Sequence, residues 1–272
     1  MKLKLQLLSA VLFTTALVAC SPEATKTVEP VIEIESQEEG HDLQATNWSY
    51  TGDTGPESWG ELDQTYASCV NGSEQSPINI EFSNVATKDM NATLGIQYEQ
   101  TSFSVVNNGH TIQVDNSSET NKITLDGTDY RLVQFHFHTP SEHQFNGQQF
   151  PLELHLVHQN DKEELAVLGV MIQEGVENES LSSLWAGLPK EKTTDSSLMN
   201  ENVNLQDLLP KEPALFYYEG SLTTPPCTEK VRWVLLEQPI EMSKKQIEAF
   251  QEIIPHNSRP VQPLNEREIN KN

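Results

Sequence analysis

The sequence predicts a mainly β fold: a single domain built on one large, twisted, mostly antiparallel sheet, with short helices at its periphery. Two observations predict it. From Asn47 onward the chain runs through short apolar stretches that alternate with polar residues and break at Asn-Gly and Asp-Gly turn signals. Helical periodicity is confined to two short stretches, and no internal repeat occurs. Hydrophobic residues make up 36% of the 272, enough for one core if they are concentrated away from the ends.

Each element follows in order. SFSVVNNGHTIQVD (102–115) is two apolar runs around an Asn-Asn-Gly turn. NKITLDGTDYRLVQFHFH (121–138) is a second hairpin, with Asp126-Gly127 at its tip. PLELHLVHQNDKEELAVLGVMIQ (151–173) is a third, turning through the polar residues 159–164. A short helix is expected near Ser180–Leu188. After the strand KVRWVLLEQPI (230–240), SKKQIEAFQEII (243–254) is expected to form another. Strands that neighbour one another along the chain pair most simply as antiparallel hairpins, hence the sheet.

The N-terminus carries an address. MKLKLQLLSAVLFTTALVAC has two lysines and then an apolar run too short and wrongly flanked for a membrane span. It ends in Leu17-Val18-Ala19-Cys20, which resembles a bacterial lipoprotein processing site, where the chain is cut before a cysteine that becomes lipidated. An ordinary secretory signal is the alternative. It fits less well, because cutting after Ala19 puts Leu17 where a small residue is preferred. Residues 1–19 are therefore read as a signal peptide, with Cys20 as the lipidation site. Residues 20–46 follow as an acidic tether: from Ser21 on they hold seven acids, one lysine and two prolines. The alternation Val31–Glu35 has no turn or partner beside it, so it is read as part of the tether. The folded domain is residues 47–272.

Charge and cysteines bound the partners. A formal charge of −23 repels phosphate backbones, so nucleic acid is not expected as a partner, and membrane contact is expected only through the N-terminal lipid. Three cysteines are an odd number for an exported protein. With Cys20 lipidated, Cys69 and Cys227 remain as one pair in an oxidising compartment, two free buried thiols being the alternative.

Three of the eight histidines fall within QFHFHTPSEH (134–143). In a strand, His136 and His138 point to one face with Gln134, while Phe135 and Phe137 point to the other. In the next hairpin Glu153, His155 and Val157 share a face. If the two strands lie side by side, three imidazoles converge. Three nitrogen ligands leave the fourth tetrahedral position of Zn²⁺ open, the arrangement of a catalytic site. Gln134 and Glu153 are placed to fix the ring tautomers. An H-x-H pair alone carries little; the third histidine on a neighbouring strand, with Glu153 beside it, carries the reading.

Six motifs occur together in this order: EQSPINI (74–80), NNGH (107–110), QFHFHTPSEH, LELHLVH (152–158), YEGSLTTPPCTEKVRW (218–233) and NSRPVQPLN (257–265). From about Trp48 to Asn265 the chain resembles the α-class carbonic anhydrases. Thr139, where many animal members carry Trp-Gly after the second histidine, points to the bacterial and plant branch. The resemblance implies reversible hydration of CO₂ to bicarbonate and a proton by zinc-bound hydroxide. His136, His138 and His155 would be the zinc ligands, supported by Gln134, Asn257 and Glu153. Thr223, hydrogen-bonded to Glu142, would aim the nucleophile, and Thr224 would complete the polar side. Val157, Val167, Leu222, Val231 and Trp233 would form the apolar CO₂ wall, although each also suits plain core packing. His110 would be the proton shuttle, and His143 and His158 would be structural. His41 and His256 fall in segments read as exposed. The resemblance also implies cis bonds at Ser76-Pro77 and Pro225-Pro226. Bacterial relatives suggest a homodimer by analogy. A non-catalytic binding module and a zinc-dependent esterase are the competing functions; the intact ligand set and the Glu142/Thr223 pair speak against the first. No separate substrate cleft is readable for the second.

In a Gram-negative host, Ser21 after the cysteine suggests sorting to the outer membrane, facing the periplasm. Cys20→Ser is expected to abolish lipid attachment and release or misprocess the protein, with the domain from Asn47 still active. Unchanged membrane fractionation of the serine variant would refute the lipoprotein reading.

Overall fold

The computed structural model describes residues 47–87, 94–199, 201–210 and 214–272. The signal peptide, Cys20, the tether with its Val31–Glu35 alternation, and His41 lie outside the described residues.

The expected hairpins form. Phe103–Asn107 pairs antiparallel with Ile112–Asn116, Lys122–Leu125 with Thr128–His138, and Leu152–Gln159 with Leu165–Glu174. Asp126 and Gly127 both take positive φ, 50° and 78°, the two-residue turn that matches strand twist. These hairpins merge into one 12-stranded sheet. Its order runs from Ser197–Leu198 through 103–107, 112–116, 128–138, 152–159, 165–174, 229–242, 215–221 and 270–271 to Ala86–Thr87. Lys122–Leu125, on the early half of the 128–138 strand, carries Leu94–Gln97 beyond it.

The sheet is mostly antiparallel, as expected, but mixed. Its central pair, 165–174 with Glu229–Met242, is parallel, and so is Asn270–Lys271 with Ala86–Thr87. A parallel pair needs a crossover, and here residues 175–228 supply it, including the 3₁₀ turn Glu179–Leu181 and the helix Ser182–Ala186. The second expected helix is Lys244–Ile253. Ser243 caps it, accepting the Gln246 N–H while the Gln246 side chain accepts from the Ser243 N–H.

Both faces of the sheet are covered, so alternation divides two cores. One face gathers Phe135, Phe137, Leu154, Leu156, Leu168, Val234 and Leu236, closed by Ile247 and Phe250 of the helix. The other gathers Ile78, Val167, Phe216, Val231, Trp233 and Leu235. Cys69 and Cys227 form a disulfide, Cα–Cα 5.1 Å, packed with Trp59. The Ser76-Pro77 and Pro225-Pro226 bonds are cis, and so is Thr139-Pro140, which the sequence reading did not anticipate.

Gly169 lies in register with His155 on one side and Leu235 on the other. A Cβ there would collide with Leu235 Cδ2 and stand 3.2 Å from Glu153 Oε1. Gly169→Ala is expected to destabilise by about 1–3 kcal/mol, as overpacking does. Urea unfolding measures it; an unchanged midpoint would show that Leu235 moves aside freely.

Candidate metal centre

Strand register builds the site. His136 sits directly opposite His155, His138 opposite Glu153, and Gln134 opposite Val157. Exact alternation would not give these pairs along the whole strand: the register shifts between Leu132 and Gln134, leaving Val133 exposed. Beyond that irregularity the two histidines of the H-x-H pair and His155 share a face. One nitrogen from each lies within 4.8 Å of the others, and His136 Nε2 is 3.0 Å from His138 Nε2.

The hydrogen bonds of the outer nitrogens decide what these inner ones carry. His136 Nδ1 meets Gln134 Oε1 at 2.8 Å, His138 Nδ1 meets the Asn257 carbonyl at 2.6 Å, and His155 Nε2 meets Glu153 Oε1 at 2.8 Å. Each partner is an oxygen acceptor, so each outer nitrogen holds the proton and each inner nitrogen is a bare lone pair. Two lone pairs 3.0 Å apart repel unless a cation stands between them. The donor set therefore fits a divalent ion such as zinc bound through His136 Nε2, His138 Nε2 and His155 Nδ1.

Behind the ligands runs a directed chain. Glu153 Oε1 also accepts from His143 Nδ1 at 2.8 Å, while its Oε2 accepts the backbone N–H groups of Glu142 and His143, each at 2.8 Å. His143 Nε2 is then an acceptor and takes the Tyr218 hydroxyl proton at 2.6 Å. The Tyr218 oxygen takes that of Ser76 at 2.8 Å, and Ser76 Oγ in turn accepts the Ser221 N–H at 3.0 Å. Every member is buried.

Burial raises the Glu153 pKa, but His143 and His155 outweigh it and hold the carboxyl well below the usual range. Burial likewise depresses His155, and Glu153 outweighs that, so the net shift is upward. Burial lowers His138 to about 3, helped by His155, and puts His136 well below the ordinary value. Glu142 is pushed up to about 7 by burial, against the pull of His155, the Arg259 N–H and Thr223. Its Oε1 accepts the Arg259 N–H at 2.9 Å. Oε2 stands 3.5 Å from His138 Nε2 and 4.0 Å from His155 Nδ1, with no partner at full hydrogen-bond geometry. The expected Thr223–Glu142 hydrogen bond is not formed at Oε2, although Thr223 pulls the Glu142 pKa down.

The other expected residues fall around this centre. Gln134, Val157, Val167 and Trp233 form one register row across four strands. Val231 packs with them, as does the partly exposed Leu222. The Trp233 ring stands edge-on to His155, centroids 4.9 Å apart, so the apolar row abuts the imidazole cluster. Across from it, a cavity of about 120 Å³ is lined by Gln134, His136, His138, Thr224 and His110. The Asn108 side chain accepts the N–H groups of His110 and Thr111 at 2.9 Å, which shapes the turn. His110 stacks on Trp48 at 3.8 Å. Burial lowers its pKa, and Lys192, whose chain lies over Gly109, lowers it further. His158 bonds the Tyr98 hydroxyl at 2.8 Å on the other face, and His256 is exposed.

Several residues of the site escaped the sequence reading. Trp48 and Tyr50 line the cavity from a stretch without periodicity, so nothing marked them. Gln113 carried a usable signal: it follows the His110 turn and is the cross-strand neighbour of His136. Tyr218 and Ser76 lay inside quoted motifs, but only the fold shows that they touch.

Three imidazoles whose inner nitrogens converge on one point, beside a half-apolar cavity, define a centre that could hold a metal ion. The known relatives agree with that class. The family model for eukaryotic-type carbonic anhydrase matches residues 54–272. A carbonic anhydrase of Klebsiella pneumoniae is 41% identical over 227 residues, 83% of this chain and 91% of that protein. Among solved structures, the α-carbonic anhydrase of Thermovibrio ammonificans, in complex with the inhibitor sulfanilamide, superposes with a TM-score of 0.80. It is 39% identical, covering 83% of this chain and 99% of that one. Dioscorin complexed with ascorbate shares the fold at a TM-score of 0.78 and 29% identity, covering 83% and 97%. The chain belongs to the α-class carbonic anhydrase family, and as a carbonic anhydrase it is an enzyme of reversible CO₂ hydration.

Tyr218→Phe removes the hydroxyl that His143 Nε2 accepts and leaves that buried nitrogen without it. A loss of about 1–3 kcal/mol in urea unfolding is expected. No loss would mean that water or Ser76 takes over the bond.

Proposed function

We propose that the chain hydrates CO₂ at a zinc ion held by His136, His138 and His155, with His110 carrying the proton away. The observation that carries this reading is the set of three lone pairs, each fixed by an oxygen acceptor behind it. Zinc, when bound, supplies a water acidified to a pKa of about 7, the figure that carbonic anhydrases themselves established for this ion.

The residues do the rest. Gln134, the Asn257 carbonyl and Glu153 hold the imidazoles in their binding tautomers. Thr223, next to a Glu142 carboxyl that can only accept when ionised, gives its proton to that side. Its own oxygen then accepts from the attacking group, which aims a lone pair at the substrate. CO₂ is apolar and offers little to grip, so Val157, Val167, Leu222, Val231 and Trp233 seat it by excluding water, and Thr224 closes the polar side. His110 has the chemistry of a base that works near neutral pH, and its place at the cavity mouth puts solvent within reach.

The same reading extends to the whole chain. Residues 47–272 are the catalytic domain, residues 20–46 the tether, and lipid on Cys20 would hold the enzyme at the outer membrane, facing the periplasm. A homodimer is the proposed assembly.

Two experiments test the centre. His155→Ala is expected to lose stoichiometric zinc on dialysis against chelator together with CO₂ hydration; retained zinc would refute the ligand set. His110→Ala is expected to lower kcat while leaving kcat/KM for CO₂ nearly unchanged, because CO₂ attack precedes proton release. Added imidazole should restore much of the turnover. Equal falls in both parameters, or no rescue, would remove His110 from the path.

A further inference from the structure

Thr223 and Thr224 lead into a tight turn, Thr224-Pro225-Pro226-Cys227, closed by the Cys227 N–H on the Thr224 carbonyl at 2.8 Å. The covalent restraint on that turn is the disulfide to Cys69. A second restraint runs beside it without touching sulfur. Gln75, 4% exposed, donates through Nε2 to the Cys227 carbonyl at 3.1 Å and to Glu229 Oε1 at 3.0 Å. Its Oε1 accepts from Arg259 Nη1 at 2.9 Å. Arg259, 2% exposed, sends Nη2 to the Cys69 carbonyl at 2.8 Å and Nη1 also to the Ser76 carbonyl at 2.7 Å. The carbonyls of both half-cystines are therefore gripped by two side chains that grip each other.

The orientation of this pair is determined. On one side Gln75 faces a carbonyl and a carboxylate, which need its NH₂; on the other it faces a guanidinium, which needs its oxygen. Flipping the amide would set donor against donor. Arg259 also stands over the Trp59 ring at 5.7 Å, the same ring that packs on the disulfide. Its backbone N–H is the group that holds Glu142 Oε1. One residue thus joins the disulfide's Cys69 end to the carboxyl beside Thr223.

We propose that Gln75 and Arg259 are positioning residues: they form a non-covalent clamp, redundant with the disulfide, that holds the Thr223–Thr224 turn against Glu142. Either restraint alone fixes the place of Cys227, the disulfide through its side chain and Gln75 through its carbonyl. Only loss of both frees the turn. The enzyme then works before its disulfide closes and after it opens. The inference rests on the proposed role of Thr223.

The test compares the full chain with and without the disulfide, using Cys69→Ala/Cys227→Ala, in backgrounds carrying Gln75 or Gln75→Ala. The quantity is the ratio of kcat/KM for CO₂ between the two forms. With Gln75 present it should stay within about two-fold; with Gln75→Ala it should open to ten-fold or more, kcat falling less because Thr223 acts in CO₂ attack. Zinc content and circular dichroism should be unchanged in every form. Gln75→Glu, which can still accept from Arg259 but cannot donate to Cys227, should behave as the alanine does. Equal ratios in both backgrounds, with merely additive losses in Tm, would overturn the clamp, as would a ten-fold loss on removing the disulfide alone. Thr223→Ala is run alongside: unchanged kcat/KM there would discard the role of Thr223 itself, and the clamp with it.

Discussion

The carboxylate of Glu153 is the charge on which the rest of the site depends. A bare carboxylate out of water is costly, and it persists only if its lone pairs are taken up. Here four N–H groups do so, two from the backbone at Glu142 and His143 and two from the His143 and His155 rings. That arrangement constrains several things together. It orients His155, folds the Ser141–His143 segment back over the 152–159 strand, and through His143 aligns Tyr218 and Ser76. It also stands close to residue 169, where an added Cβ would lie 3.2 Å from the carboxylate and collide with Leu235 Cδ2. The chemistry of the centre and the packing of the sheet are therefore one requirement, met at one residue.

The sheet acts as the ruler for everything else. Side chains repeat every second residue along a strand, and register aligns them across strands. A row from Gln134 to Trp233 thus places a polar group and an apolar wall side by side without any loop between them. The apolar members belong to the sheet's second core, so they are rigid for ordinary packing reasons. The same register sets Val157 two residues from His155 on one strand and Gln134 two residues from His136 on its neighbour, so the apolar row and the imidazoles adjoin without any special device.

Much of this was legible in the chain. Period-two alternation and Asp126-Gly127 gave away the hairpins. The spacing of His136, His138, Glu153 and His155 put the site on one face, because hairpin geometry is local. The 165–174/229–242 pairing was not legible: 54 residues separate the two strands, and no turn signal spans them. The positions of Trp48 and Tyr50 were hidden for a related reason, since they lie outside any regular element and reach the cavity only through tertiary packing. Tyr218 and Ser76 stood in two separate motifs, yet hydrogen bonding between residues 142 apart is invisible until both segments are placed. Sequence pattern reports what a strand does to itself and its neighbour in the chain. It is silent on what the sheet does at a distance.

Asn257 shows how the two halves of the site keep their distance. Its backbone carbonyl takes the His138 Nδ1 proton at 2.6 Å, and its side-chain oxygen takes the Thr139 N–H at 2.7 Å. Its amide nitrogen donates to the Phe137 carbonyl at 2.9 Å and to the His110 carbonyl at 3.0 Å. One residue therefore fixes an inner imidazole and the backbone of the turn at the mouth. The rings at the two ends differ in kind. His138 is buried and held at Nδ1, while His110 is only half-buried and rests on Trp48. The His110 backbone is thus pinned by Asn257, while its ring, stacked on Trp48, lines the cavity. The proton-carrying role proposed for His110 requires a base in reach of both the site and solvent, which a fully buried histidine could not supply.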